Sequence, residues 1–216
     1  MIGGGFIGLE LAASAAALGC RVTVVELGPR LMSRGVPARV AAVMAGRHVQ
    51  AGVDIRCGTG VTGLAETASG VTITLAEGTA IEADVVGAGV GAVPETSLAW
   101  AAGIETAGTR LDDVEPYAGV PWFWSDQHGY TLQVAGLASA ADREVVRVRP
   151  DGVEIWFGLA DGGRLVAAAA AGPGNSVARD IKLAEMLIAR RATPDPAVLA
   201  DPGIALKSVL RSPVAR

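Results

Sequence analysis

The sequence predicts an α/β fold in two parts, and three observations carry the prediction. A glycine turn near the start leads into an alanine-rich helix and then a β-branched strand that ends in an acid, Glu26. Further strand-like segments follow, spaced by turn residues, as far as about residue 104. After a polar stretch the pattern changes to a meander of alternating strands closed by one long helix, which is an α+β arrangement with an antiparallel sheet.

The elements run in this order. Leu9, Ala12, Ala13, Ala16 and Ala17 fall at helical spacing, and their small side chains allow close packing against a sheet; Gly19 stops that helix. Arg21–Glu26 reads as a buried strand. A second helix is expected over Pro37–Gln50, closed by Gly52. Strands are expected at Val53–Arg56, Gly60–Leu64, Gly70–Leu75 and Thr79–Glu82, with Glu77-Gly78 as a hairpin turn between the last two. Ala83–Gly87 reads as another buried strand, opening onto the loop Gly89-Val90-Gly91-Ala92-Val93-Pro94. A short helix is expected over Thr96–Ala102, stopped by Gly103.

The polar run Gly108–Glu115 marks a linker, so the expected division is 1–107, a linker at 108–119, and 120–216. Pro116 and Pro121 bracket an aromatic segment. Beyond it, strands are expected at Leu132–Leu137, Glu144–Arg149, Val153–Leu159 and Arg164–Ala169, turned by Asp151-Gly152 and Asp161-Gly162-Gly163. A helix follows over Ser176–Arg191 with Asn175 as its expected cap, and the proline-containing tail holds only short helical turns.

Composition narrows the function classes. At 50% hydrophobic and 19% charged, with mean hydropathy +0.40, the 216 residues can bury a core and are not a disordered chain. The net charge of -4 and pI near 5.2 argue against nucleic acid as a partner. The longest apolar runs are too short and alanine-rich to span a bilayer, no signal peptide is expected, and a cytoplasmic location follows. Cys20 and Cys57 form neither a disulfide framework nor a zinc pattern, and no metal site is expected.

Gly3, Gly5 and Gly8 form G-x-G-x-x-G at the mouth of a helix. The first permits a tight turn, the second lets backbone approach a pyrophosphate, and the third lets helix and strand pack closely. The helix N-terminus points its free N–H groups at the anion. Glu26 ends the next strand at the spacing of a ribose-binding acid, which accepts from the 2′-OH and repels a 2′-phosphate, so NADH is favoured over NADPH. These residues define a Rossmann-like, NAD-binding half whose first strand is truncated, because only Met1 and Ile2 precede the glycines.

Gly3-Gly4-Gly5-Phe6-Ile7-Gly8-Leu9-Glu10 resembles the NAD-binding half of FAD-dependent pyridine-nucleotide oxidoreductases. Trp122-Phe123-Trp124-Ser125-Asp126-Gln127, followed by Leu132–Leu137, is similar to the C-terminal domain of their ferredoxin (rubredoxin, putidaredoxin-type) reductase branch. Asp84-Val85-Val86 leading to Gly89-Val90-Gly91 matches that family's second nucleotide-contacting loop. The resemblance implies NADH and FAD as cofactors and a ferredoxin-like iron–sulfur protein as partner, with hydride passing from NADH to FAD and electrons onward. It implies cofactor contacts for Gly3, Gly5, Phe6, Ile7, Gly8, Glu10, Glu26, Gly89, Val90, Gly91, Trp122 and Trp124. Neither the family's FAD-binding glycine turn nor its second FAD segment has a counterpart here, so the expectation is a chain that does not retain FAD and that self-associates or joins a companion chain. A non-enzymatic NAD-binding or assembly module, or a fragment without function, is the alternative.

Several residues stay open at this level. Glu10 reads either as an acid near the nicotinamide or as an acid favoured by the helix dipole. Arg30 reads as a ribose or phosphate contact or as a solvated side chain, and Trp122 and Trp124 as flavin and partner contacts or as packing aromatics. His48 and His128 are isolated in sequence and read as structural, and no catalytic residue is assigned. The Tyr-x-x-x-Lys pair of short-chain dehydrogenases is absent.

Overall fold

The computed structural model describes residues 1–104 and 119–210 of the chain. The turn 3–5 leads into α1 (Phe6–Ala17), and β1 (Thr23–Glu26) follows with Val24 and Val25 buried. Next come α2 (Ala38–Gln50) and β2 (Asp54–Cys57), which pairs parallel with β1. Ile2 lies on the other side of β1 and forms parallel bridges to both Val25 and Ala88. Four backbone hydrogen bonds of 2.8–2.9 Å fix this arrangement: Ile2 N to Gly87 O, Gly89 N to Ile2 O, Gly3 N to Val25 O, and Val25 N to Met1 O. The parallel order is therefore segment 87–89, Ile2, β1, β2, the order of a doubly wound nucleotide-binding half.

β3 (Val61–Thr67), β4 (Gly70–Leu75) and β5 (Ala80–Ala83) form a separate antiparallel meander, close to the expected strands, and a short α3 (Ser97–Ala101) follows. The expected strand Ala83–Gly87 is not formed. β5 ends at Ala83, Val85 is 82% exposed, and only Ala88 enters the parallel sheet. Ile2 offers that segment one bridging residue, so the ladder cannot extend back through it. Nearly all of the expected linker at 108–119, and the acids Asp112, Asp113 and Glu115, lie outside the described residues.

From residue 122 a five-stranded antiparallel sheet runs through β6 (Trp122–Gln127), β7 (Tyr130–Gly136), β8 (Arg143–Val148), β9 (Glu154–Leu159) and β10 (Leu165–Pro173), in spatial order β6-β7-β10-β9-β8. The aromatic segment is thus a full edge strand that the sequence reading left unassigned. α4 (Ala178–Ala189), α5 (Pro196–Ala200) and α6 (Leu206–Val209) close the described chain. Asn175 does not cap α4. Val177 holds that position, and the Asn175 carboxamide oxygen accepts from Gln133 Nε2 at 3.1 Å.

The central strand β10 explains how the two parts meet. Its alanines alternate: Ala167, Ala169 and Ala171 join the core with α1 and α2, while Ala168 and Ala170 join the core with α4, α5 and α6. Helices from both ends of the sequence therefore sandwich one sheet. Methyl-sized side chains let both helical layers approach it. On the outer side the buried Arg147 guanidinium ties the tail down by donating to the carbonyls of Val198, Leu199 and Ile204 at 2.7–3.0 Å.

This packing predicts that Ala169→Leu, which forces a large side chain between β10 and α2, destabilises the protein by about 1–3 kcal/mol. Urea denaturation read by circular dichroism checks it; an unchanged midpoint would mean that the α2 side of the sheet has room to spare.

Candidate functional site

The glycine turn is shaped by what cannot fit in it. A Cβ on Gly8 would stand 2.1 Å from the Gly3 carbonyl oxygen, and one on Gly3, whose φ is +97°, would stand 2.4 Å from the Gly89 oxygen. The start of α1, the Ile2 crossing and the 89–91 loop are thus in backbone contact. Gly5 is different: a Cβ there meets nothing within 4 Å. The turn is closed toward the protein and open outward at its middle glycine.

Gly5 is also the N-cap of α1, yet no side chain caps the helix and no acid sits in its first turn. The positive end of the helix dipole is left unneutralised beside open space, which suits an anion such as a pyrophosphate. Ile7 and Val90 are exposed, while Phe6 turns inward and meets the Phe123 ring edge-on at 4.8 Å. The residues present therefore fit a dinucleotide lying across the turn.

Glu26 lies at the far side of the same turn. Its two oxygens accept from Gly4 N at 2.6 Å and Gly28 N at 2.7 Å, so the carboxylate is held in one orientation by backbone donors. Arg30 adopts neither of its expected roles. Its guanidinium donates to the carbonyls of Leu31, Met32, Ser33 and Val36 and pins the loop beside the turn.

β6 divides its residues by face. Phe123, Ser125 and Gln127 point toward α1 and α2, whereas Trp122, Trp124 and Asp126 point out. The two tryptophans stack with centroids 4.9 Å apart and line an open cleft of about 720 Å³ together with Gln133, Asn175 and Lys182. They therefore lie on the opposite face of β6 from Phe6 and Glu10, and the structure brings Gly3, Gly5, Gly8 and Gly89–Gly91 together with Glu26 but not with the tryptophans.

The inward face carries a polar thread. Ser125 Oγ lies 2.5 Å from Glu10 Oε1, Gln127 Nε2 lies 2.8 Å from Ser125 Oγ, Gln127 Oε1 lies 2.8 Å from His48 Nε2, and His48 Nδ1 lies 3.0 Å from His128 Nε2. Ser125, Gln127 and His48 are at most 2% exposed. Both histidines titrate below their ordinary value of 6.5: burial is the main cause at each, with His128 adding to it at His48 and the Arg47 cation adding to it at His128, against the raising effect of the hydrogen bond that His48 Nε2 donates to the Gln127 amide oxygen. The sequence reading missed this pair because 80 positions separate its members.

Comparison with known proteins places these features. Residues 1–115 match the pyridine nucleotide-disulphide oxidoreductase family, and residues 122–210 match the reductase C-terminal family. The chain is 36% identical to the ferredoxin–NAD(+) reductase component of the anthranilate 1,2-dioxygenase system of Burkholderia cepacia, over 97% of this chain and 63% of that protein. It is 29% identical to putidaredoxin reductase of Pseudomonas putida, over 97% of this chain and 61% of that protein. Among solved structures, a ferredoxin reductase from Rhodopseudomonas palustris superimposes with a TM-score of 0.85 at 28% identity, covering 97% of this chain and 63% of that one. The covalent putidaredoxin reductase–putidaredoxin complex gives 0.82 at 26% identity, covering 97% and 62%. The chain thus spans less than two thirds of the length of each of these relatives.

The lowered histidine values predict a pH dependence. By pH 7.5 both histidines are largely neutral in the folded and unfolded states and contribute almost no slope. As pH falls below 6.5 the unfolded chain takes up protons that the folded chain resists, so stability declines. Denaturation midpoints between pH 7.5 and about 5.5, above the range where carboxylates titrate, should fall, and His128→Gln should flatten the decline. A variant with the same slope would place its origin elsewhere.

Proposed function

Because the chain belongs to the pyridine nucleotide-disulphide oxidoreductase family, we propose that it is the NAD-binding and C-terminal part of an NADH-dependent ferredoxin reductase. The observation that carries the reading is the uncapped N-terminus of α1 behind the turn Gly3–Gly8, open at Gly5 and flanked by the fixed carboxylate of Glu26. The division of the chain at 108–119 is part of the same proposal.

In this reading the pyrophosphate of NADH lies on the N–H groups at the start of α1, with Gly3, Gly5, Phe6, Ile7 and Gly8 around it. Glu26, aimed by Gly4 and Gly28, accepts from the adenosine ribose and disfavours a 2′-phosphate. Gly89, Val90 and Gly91 form the second edge of the site, and Glu10 faces the nicotinamide end. NADH supplies hydride chemistry when bound; what this chain supplies is position and electrostatics.

FAD is the second cofactor we assign to the whole enzyme, and a ferredoxin-like iron–sulfur protein is the acceptor we assign to it, in keeping with the reductase names of the relatives. Among the described residues, α1 is the one helix whose N-terminus follows a glycine turn of this kind, so no flavin step is assigned to them. Stacked Trp122 and Trp124, half exposed beside an open cleft, support a flavin-side or partner-side contact away from the nucleotide turn. No helix among the described residues is long and apolar enough to cross a membrane, and we place the protein in the cytoplasm. Exposed Val85, Val93 and Leu98 support association with a companion chain or a second copy.

Titration of the purified chain by calorimetry tests the reading. The expected outcome is NADH binding, weaker NADPH binding, and colourless protein that takes up no stoichiometric FAD. Glu26→Ala should weaken NADH about tenfold, on the order of 1.4 kcal/mol, and narrow the preference. Equal binding of both nucleotides by the unsubstituted chain would remove Glu26 from the ribose site.

A further inference from the structure

The thread from Glu10 to His128 is a polar line through a largely apolar seam, and its direction is fixed by chemistry. A carboxylate only accepts, so the Ser125 hydroxyl must donate to Glu10 Oε1. With its proton so used, Ser125 Oγ accepts from the Gln127 amide, which turns Gln127 Oε1 toward His48. That oxygen only accepts, so His48 carries its proton on Nε2, and its bare Nδ1 accepts from His128 Nε2–H. All four bonds point the same way, toward Glu10.

Three further observations give the thread a purpose. Ser125, Gln127 and His48 are buried to 2% exposure or less in a contact otherwise made by Phe6, Leu9, Phe123 and Met44. Apolar residues there would pack without the cost of burying polar groups, so the thread is not required to hold the seam together. Glu10 itself is only half buried, one helical turn past the N-terminus of α1, and its Oε2 has no hydrogen-bond partner among the described residues. The thread therefore ends on a carboxylate with one oxygen fixed and one oxygen offered.

We propose that Ser125, Gln127 and His48 are positioning residues that hold Glu10 so that its second oxygen accepts a hydrogen bond from the nicotinamide end of the bound dinucleotide. This rests on the nucleotide-site reading given above and adds the residues that set its nicotinamide side. The ligand group that fits is the carboxamide N–H of the nicotinamide, a donor. Gln127 limits the thread to positioning: an amide N–H does not give up its proton, so no proton passes from the histidines to Glu10. His128 donates to the bare Nδ1 of His48, with Arg47 and Tyr130 the charged and titratable neighbours beside it, the Arg47 guanidinium lying 4.3 Å from the Tyr130 ring centre.

The test is titration of the full 216-residue chain with NADH and, separately, with ADP-ribose, which has the adenosine diphosphate part but no nicotinamide. Ser125→Ala should weaken NADH about five- to tenfold and leave ADP-ribose unchanged, as expected for the net loss of one ordinary hydrogen bond. Ser125→Thr, which keeps the hydroxyl, should restore NADH binding to within about twofold. Glu10→Gln should lose as much as Ser125→Ala, and the double variant no more than the larger single loss, because both remove one contact. Nitrogen-15 spectra should show His48 protonated at Nε2 at pH 8. Unchanged NADH binding in Ser125→Ala, an equal loss of both ligands, or His48 protonated at Nδ1 overturns the positioning role. If the unsubstituted chain fails to bind ADP-ribose, it is the nucleotide site itself that fails, and the proposal falls with it by a different and recognisable route.

Discussion

Backbone meets backbone where Gly3, Gly8 and Gly89 come together, and neither Gly3 nor Gly8 could carry a side chain there. A Cβ at Gly8 or Gly3 would stand 2.1 or 2.4 Å from a carbonyl oxygen, so the helix start, the central crossing and the second loop lock into one body. Everything placed by α1 inherits its position from that contact. Its N-terminus is presented bare beside Gly5, and its flank carries Phe6, Leu9 and Glu10 against the antiparallel sheet. The same helix therefore presents an uncapped N-terminus at its end and a packing surface along its side.

The sheet meets this demand with small residues and one polar line. β10 alternates alanines between two helical layers, so α2 and α4 both approach a strand with almost no side-chain volume. β6, at the edge, turns Ser125 and Gln127 inward and Trp122 and Trp124 outward, which reverses the usual rule that apolar residues face the core. The reversal sends hydrogen-bonding groups to Glu10 and His48 and leaves two stacked rings beside an open cleft. The edge strand thus offers hydrogen-bonding groups on one face and stacked rings on the other.

This reversal also marks where the sequence stopped being legible. The helices, the glycine turn, Glu26 and most strands were readable because each follows from local spacing: small residues at helical intervals, β-branched runs, Gly and Asp at turns. β6 was not, because two of its three inward residues, Ser125 and Gln127, are polar and two of its three outward ones are tryptophans, so the periodic signal cancels. The strand expected at Ala83–Gly87 failed for a tertiary reason, since its parallel neighbour contributes only Ile2. Arg30 was weighed as a ligand or a solvated residue, and it instead satisfies four loop carbonyls that sequence cannot show to be converging. The His48–His128 contact joins a helix face to a turn 80 residues on, a distance no short pattern spans.

A dinucleotide lying across the start of α1, between Glu26 and the 89–91 loop, would be felt by the backbone amides of the turn. Backbone amide shifts of the nitrogen-15-labelled chain on addition of NAD+ test this placement most directly. The largest shifts are expected at Gly3–Gly8, Gly28 and Gly89–Gly91, with residues on the outer faces of α4 and β8 unmoved. Shifts confined to the tryptophan cleft, with the glycine turn silent, would contradict it.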